Sequence, residues 1–124
     1  NVEARWFENH VAYSIAKFGM SLCTLGMASE FKGKVAFNSL WPKTIIATAA
    51  IEFAVGNASM MQLGRKATIM ADAAAAILQK DAKTVTGNFY IDEDVLRAEG
   101  VTDFTEYRVN PNTPENQLLP DFFI

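Results

Sequence analysis

The stretch that decides the reading runs from Val11 to Phe31, VAYSIAKFGMSLCTLGMASEF. Val11, Ile15, Phe18, Leu22 and Leu25 recur at three- and four-residue steps, which predicts one long helix. The opposite side is not polar: Ala12, Ala16, Gly19, Ser21, Cys23, Gly26 and Ala28 stand where a surface helix would carry Lys and Glu. Such a helix is expected to be covered on more than one side, with Cys23 as a small apolar filler. Lys17 is the sole charge between Tyr13 and Ser29. A cation in so apolar a helix needs a function or a partner.

Outward from this helix, Gly33 ends it, and Lys34 to Leu40 predicts a strand stopped by Pro42. Thr44 to Val55, rich in Ala and Ile, predicts a second helix before Gly56-Asn57. A third helix is expected over Thr68 to Gln79, with Thr68 as its N-cap. Asn88 to Ile91 predicts a second strand, after which Asp94 would cap a short helix ending near Gly100. Residues 110–116 are polar and broken by proline, and Leu118 to Ile124 is an apolar tail expected to dock. Helix, strand, helix, helix, strand implies parallel strands joined by right-handed crossovers in an α/β layer fold. Parallel sheets are buried on both faces, so two strands imply others. The chain is therefore expected to be the C-terminal part of one larger domain, with an α/β portion over 1–109 and an irregular tail over 110–124. A start at Asn1 without an initiator Met fits that expectation.

Composition narrows the function classes. The 124 residues are 50% hydrophobic and 20% charged, with a mean hydropathy of +0.07, far from the balance of a disordered chain. A net charge of −3 supplies no footprint for nucleic acid or anionic membrane. A single Cys excludes a disulfide framework within the chain. The charge-free run from Phe18 to Ser29 is too short for a membrane span. No metal site is expected, because the single His, His10, has no Cys near it and suits a helix start or the surface. Asp92, Glu93 and Asp94 follow a strand and read as turn and cap residues.

Tyr13 and Lys17 sit at i and i+4, one turn apart on one helix face. A cation beside a phenol stabilises the phenolate and brings it toward an acid/base range. Chance alone gives such a pair in about one chain in six, so its weight comes from context. Here it opens an otherwise uncharged helix, followed by a strand and by Trp41-Pro42-Lys43-Thr44, at the strand end where open α/β sheets bind ligands. Together with Ala12 to Ser21 and Thr86-Gly87-Asn88, this resembles the short-chain dehydrogenase/reductase family, and the likeness spans nearly the whole chain.

The resemblance implies the C-terminal part of a Rossmann-type, doubly wound parallel sheet, with the long helix catalytic. It implies an NAD(P)-dependent oxidoreductase, using NADP or NAD, that interconverts a carbonyl and an alcohol on a small, lipid-like substrate. Tyr13 would be the general acid or base; Lys17 would hold the nicotinamide ribose and depress the Tyr13 pKa. Pro42, Ile46 and Thr48 would meet the nicotinamide, although Lys43 replaces the family's usual Gly and the loop is one residue longer. Asp92-Glu93-Asp94 departs from the family's Asp-Gly-Gly, and Met60 and Met61 fall where the family has a lid. The Gly-rich dinucleotide turn and the catalytic Ser have no counterpart in these 124 residues, so the chain alone is expected to have little activity. Family members pair through the long helix, which implies a homo-oligomer. A non-catalytic interaction module of the same fold is the alternative. The family also implies a peroxisomal or mitochondrial location, although Phe122-Phe123-Ile124 matches no peroxisomal signal.

Overall fold

A computed structural model describes residues 3–49 and 58–122. After a 3-10 turn at Ala4–Trp6, helix α1 spans Val11–Glu30 and strand β1 Ser39–Trp41. A four-residue helix α2 (Ala58–Met61), helix α3 (Thr68–Leu78), strand β2 (Phe89–Ile91) and helix α4 (Asp92–Ala98) follow. Two further 3-10 turns, Thr105–Tyr107 and Glu115–Gln117, lie in the C-terminal part. β1 and β2 pair in parallel, with Ser39 opposite Phe89, Leu40 opposite Tyr90 and Trp41 opposite Ile91. The chain between them carries α3, so the expected crossover is present, and the protein is an α/β structure with two parallel strands.

The core lies between α3, α4 and the segment after α4. Ile69 and Ala73 on one face of α3 meet Val95 and Leu96 of α4, and Phe104 and Tyr107 close the cluster. Burying a side chain the size of Ile69 contributes about 1.5–3 kcal/mol. Gly100, at φ +95°, turns the chain out of α4 in a conformation that a Cβ would strain.

Several local expectations shift. β1 begins at Ser39 and not at Lys34, because its ladder reaches only as far as the partner allows; residues 37 and 38 are tied to 85–88 mainly through side chains, with one backbone bond from the Gly87 amide to the Phe37 carbonyl at 2.7 Å. Phe37 N–H donates to Thr86 Oγ1 at 2.9 Å, and Asn38 Nδ2 donates to the Val85 carbonyl at 3.0 Å. The second helix expected from Thr44 does not start there. Residues 44–46 run extended, with Thr44 bridged to Pro120 and Ile46 to Arg65, because two neighbouring segments offer backbone partners that an Ala-rich sequence cannot announce. Ala47 and Thr48 are not helical either, and residues 50–55 of that expected helix lie outside the described residues. Ala67, and not Thr68, occupies the N-cap of α3, and α4 starts at Asp92, two residues before the expected cap at Asp94.

α1 departs furthest from its expected burial. Ser14, Thr24 and Ala28 are buried, whereas Val11, Ile15, Met20, Leu22 and Leu25 are exposed, and so is Cys23. Among the described residues, nothing covers that face. By length and mean hydropathy, 1.2, α1 is long and apolar enough to cross a bilayer, but the hydroxyls of Ser14 and Thr24 bond within the domain. Thr24 and Ser39 share a hydrogen bond at 2.8 Å that ties α1 to β1, and the buried Ser14 hydroxyl donates to the Trp6 carbonyl.

Candidate active site

Tyr13 lies in the first turn of α1 and Lys17 one turn later, with Lys17 Nζ over the Tyr13 ring, 5.4 Å from its centroid. β1 ends at Trp41, and the loop that follows carries Pro42, Ile46 and Thr48 past the same place. All five residues line one open cleft of about 500 Å³. The expected set is therefore brought together in space, although its members are up to 35 positions apart (48 − 13). Sequence reasoning missed the other lining residues, among them Thr24, Ser39, Trp41 and Asp121. Trp41 was legible as the residue before Pro42; Asp121 had no signal, since it reaches the cleft only by tertiary docking.

The loop after β1 is held on three sides through Lys43. Its amide donates to Asp92 Oδ1 at 2.9 Å, its ammonium to Glu93 Oε1 at 2.7 Å, and its carbonyl accepts from the Asp121 amide at 3.0 Å. Further along, the Ile45 amide donates to the Leu119 carbonyl at 3.0 Å and the Ala47 amide to the Arg65 carbonyl at 2.9 Å. Lys43, standing where the resemblance leads one to expect Gly, thus points its charge at Glu93. Asp92 and Glu93 are both buried, and their work is to fasten this loop to the start of α4. Burial alone would push the Glu93 carboxyl up, but hydrogen bonds from Lys43, Arg97 and Arg65 and the Arg65 charge outweigh it and hold the group down at about 2. Burial pushes the Asp92 carboxyl up against the opposing pull of two backbone N–H donors and Arg65.

The apolar tail docks as expected. The Phe122 ring meets His10, Trp6 and Tyr13 edge-on, with centroids 5.1, 5.6 and 5.9 Å apart. This carries Asp121 into the cleft. The Tyr13 phenol is consequently not depressed as expected from Lys17: partial burial first, and the Asp121 carboxylate second, push it up. His10 stands exposed at the N-cap of α1. No group of three His, Cys, Asp or Glu side chains among the described residues could hold a metal ion.

The fold and this cleft define a class. The structure superposes over its whole described length on a crystal structure described as a dehydrogenase from Xanthomonas campestris, at a TM-score of 0.88 and 43% identity, covering 44% of that chain. A short-chain dehydrogenase from Mycobacterium thermoresistibile matches at 0.84 and 38% identity, with 43% of its chain covered. The protein is homologous to these short-chain dehydrogenase structures and matches part of their fold. More particularly, it is homologous to hydroxysteroid dehydrogenase-like protein 2: 53% identical to that of Danio rerio and 50% to that of Homo sapiens, along all 124 residues. The chain spans less than a third of the length of these curated relatives, 29% and 28%. No family model matches it.

Proposed function

We propose that this chain supplies the catalytic Tyr–Lys half of an NAD(P)-dependent oxidoreductase that interconverts a carbonyl and an alcohol on a small, lipid-like substrate. The observation that carries the reading is the convergence of Tyr13, Lys17, Pro42, Ile46 and Thr48 on one cleft beside the carboxyl end of β1. In it, Tyr13 gives its phenolic proton to the substrate oxygen during reduction and takes it back during oxidation. The cleft suits the nicotinamide-ribose half of the cofactor: Lys17 offers ammonium donors to ribose hydroxyls, and Trp41, Pro42 and Ile46 form an apolar wall for a flat ring. When bound, the nicotinamide supplies or accepts the hydride. The 124 residues hold no Gly-rich turn for the pyrophosphate, so that half of the cofactor needs another part of a complete, doubly wound domain. The domain reading, an α/β portion over 1–109 followed by the tail, is part of the same proposal.

In a complete dehydrogenase domain that carries these residues, Tyr13→Phe is expected to lower kcat by at least about a hundredfold while leaving nicotinamide affinity within about twofold. Retained turnover would remove Tyr13 from the chemistry.

The exposed apolar face of α1 favours a second reading, a surface for association. Val11, Ile15, Leu22 and Leu25 are each more than half exposed there. A second copy of the chain on this face is consistent with the homo-oligomer that the resemblance implies, and it is compatible with either an active or a non-catalytic role. Sedimentation of the 124-residue chain and of a Leu22→Glu variant tests the association itself: the variant is expected to shift an oligomer toward monomer, and an unaltered chain that sediments as a monomer would remove this reading.

A further inference from the structure

The cleft contains one acidic side chain that the proposed proton transfer does not use. Asp121 lines it together with Tyr13 and Lys17, although it is 108 positions from Tyr13 (121 − 13). Its placement is fixed by backbone on both sides. The Leu119 amide donates to the Leu63 carbonyl at 2.9 Å, the Ile45 amide to the Leu119 carbonyl, and the Asp121 amide to the Lys43 carbonyl, while Phe122 packs its ring on Tyr13 and His10. These contacts hold the backbone of the segment, and so keep residue 121 at the cleft.

The charged neighbours decide what it does there. Burial pushes the Asp121 carboxyl up, with Asp92 on α4 adding to it, against the Phe122 amide and Lys17 on α1, which favour the carboxylate. Tyr13, the other ionisable group on this side of α1, is in turn disfavoured as a phenolate by the Asp121 charge. His10 touches Phe122 rather than the cleft, and Lys43 directs its ammonium to Glu93.

Resting on the proton-transfer reading above, we propose that Asp121 is a positioning residue of the Tyr13–Lys17 pair: the docked C-terminal segment sets its carboxylate in the cleft that Tyr13 and Lys17 line, and the negative charge there favours Tyr13 as a proton donor and hence carbonyl reduction. The balance is simple. In reduction, hydride adds to the carbonyl carbon and the Tyr13 proton goes to the oxygen; Asp121 exchanges no atom and acts through charge alone.

The test reads Tyr13 directly. With ¹³Cζ-labelled tyrosine, NMR titration of the 124-residue chain resolves Tyr13 from Tyr90 and Tyr107. Asp121→Asn is expected to lower the Tyr13 midpoint by about half a pH unit or more and leave the other two unmoved, whereas Asp121→Glu keeps the parental value. In the unaltered chain, the Tyr13 resonance is expected to show a second, small inflection where the Asp121 carboxyl titrates, which needs no variant to fold. A Tyr13 midpoint unmoved by Asp121→Asn, or no acid inflection in the parent, overturns the proposal and leaves the oxidoreductase reading standing. Retained turnover in the Tyr13→Phe domain sinks that reading instead, without touching the titration. In an active domain, Asp121→Asn is expected to move the alkaline limb of the pH profile for reduction downward in pH, a shift that a purely structural loss would not produce.

Discussion

The guanidinium of Arg65 and the carboxylate of Glu93 meet at 2.7 Å with both side chains closed off from solvent. Neither charge could stay there alone, since an unpaired ion in the interior costs several kcal/mol. Glu93 also accepts from Lys43 and Arg97, each at 2.7 Å, and Arg65 reaches Glu115, which in turn binds Arg108 at 3.0 Å. The network joins the start of α4, the cleft loop after β1 and the C-terminal 3-10 turn. It makes the position of Pro42 and Ile46 depend on a residue on the far side of the loop.

Removing one partner should therefore be costly. Glu93→Gln keeps the side-chain shape but removes the buried counter-charge of Arg65 and leaves it only the half-exposed Glu115, and urea unfolding is expected to show a loss of about 3–5 kcal/mol. A loss below about 1 kcal/mol would mean that water or Glu115 satisfies Arg65 instead.

The same group predicts an acid dependence with a definite sign. Its carboxyl is held at about 2 in the folded state against the model-peptide value of 4.5, so the ionised form favours folding. The contribution, about 3 kcal/mol, is present above pH 4.5 and is lost progressively as the pH falls toward 2. The stability gap between the parent and Glu93→Gln is expected to narrow over that window. A gap constant from pH 6 to pH 2.5 would contradict the assignment.

Gly64 bears on the cleft wall through its missing side chain. A Cβ there would stand 2.7 Å from the Ile45 carbonyl oxygen, a backbone atom already accepting from the Arg65 amide at 2.9 Å. Gly64→Ala is expected to cost about 1–3 kcal/mol and to speed exchange of the Arg65 amide. Gly26→Ala, on α1 with nothing within 4 Å, is the opposite case and should be neutral or stabilising by up to about 1 kcal/mol.

Phe122 anchors the tail, and Trp6 reports on it. In a Trp41→Phe background, Phe122→Ala is expected to shift Trp6 emission to the red and increase its quenching by iodide, because the ring 5.6 Å away is gone. Unchanged emission would show that backbone bonds at Leu119 and Asp121 suffice to dock the segment.

Nicotinamide binding can be read by thermal unfolding. The 124-residue chain is expected to melt at the same temperature with or without excess NADH or NADPH, while a complete domain carrying it should be raised by one of them and less so after Lys17→Ala. A raised transition in the 124-residue chain itself would mean that the nicotinamide half of the site binds without the pyrophosphate turn.

Much of the fold and of the cleft was legible because it is local. The 3.6-residue periodicity around Ile15 and Phe18 marks α1, the spacing of Tyr13 and Lys17 needs only that helix, and Pro42 marks the strand end beside which both stand. Where reading failed, a distant partner had intervened. Thr44 to Ile46 has helix-like composition but is drawn out by Arg65 and Pro120, and Glu93, read as a turn residue, is a buried ion-pair hub because Arg65 lies beside it only after folding.

The sequence by itself determined the α/β class, the long apolar helix, the order of its elements and the pairing of a phenol with an ammonium one turn apart, all of which rest on contacts within about four residues or on short hydrophobic periods. Only the tertiary structure decided that Asp121 faces that pair, that Lys43 turns its charge to Glu93, and that the outer face of α1 stands open. Those outcomes depend on residues some 50 to 110 positions apart, and no pattern along the chain encodes which of them will meet, since packing and charge select partners only once the elements are assembled.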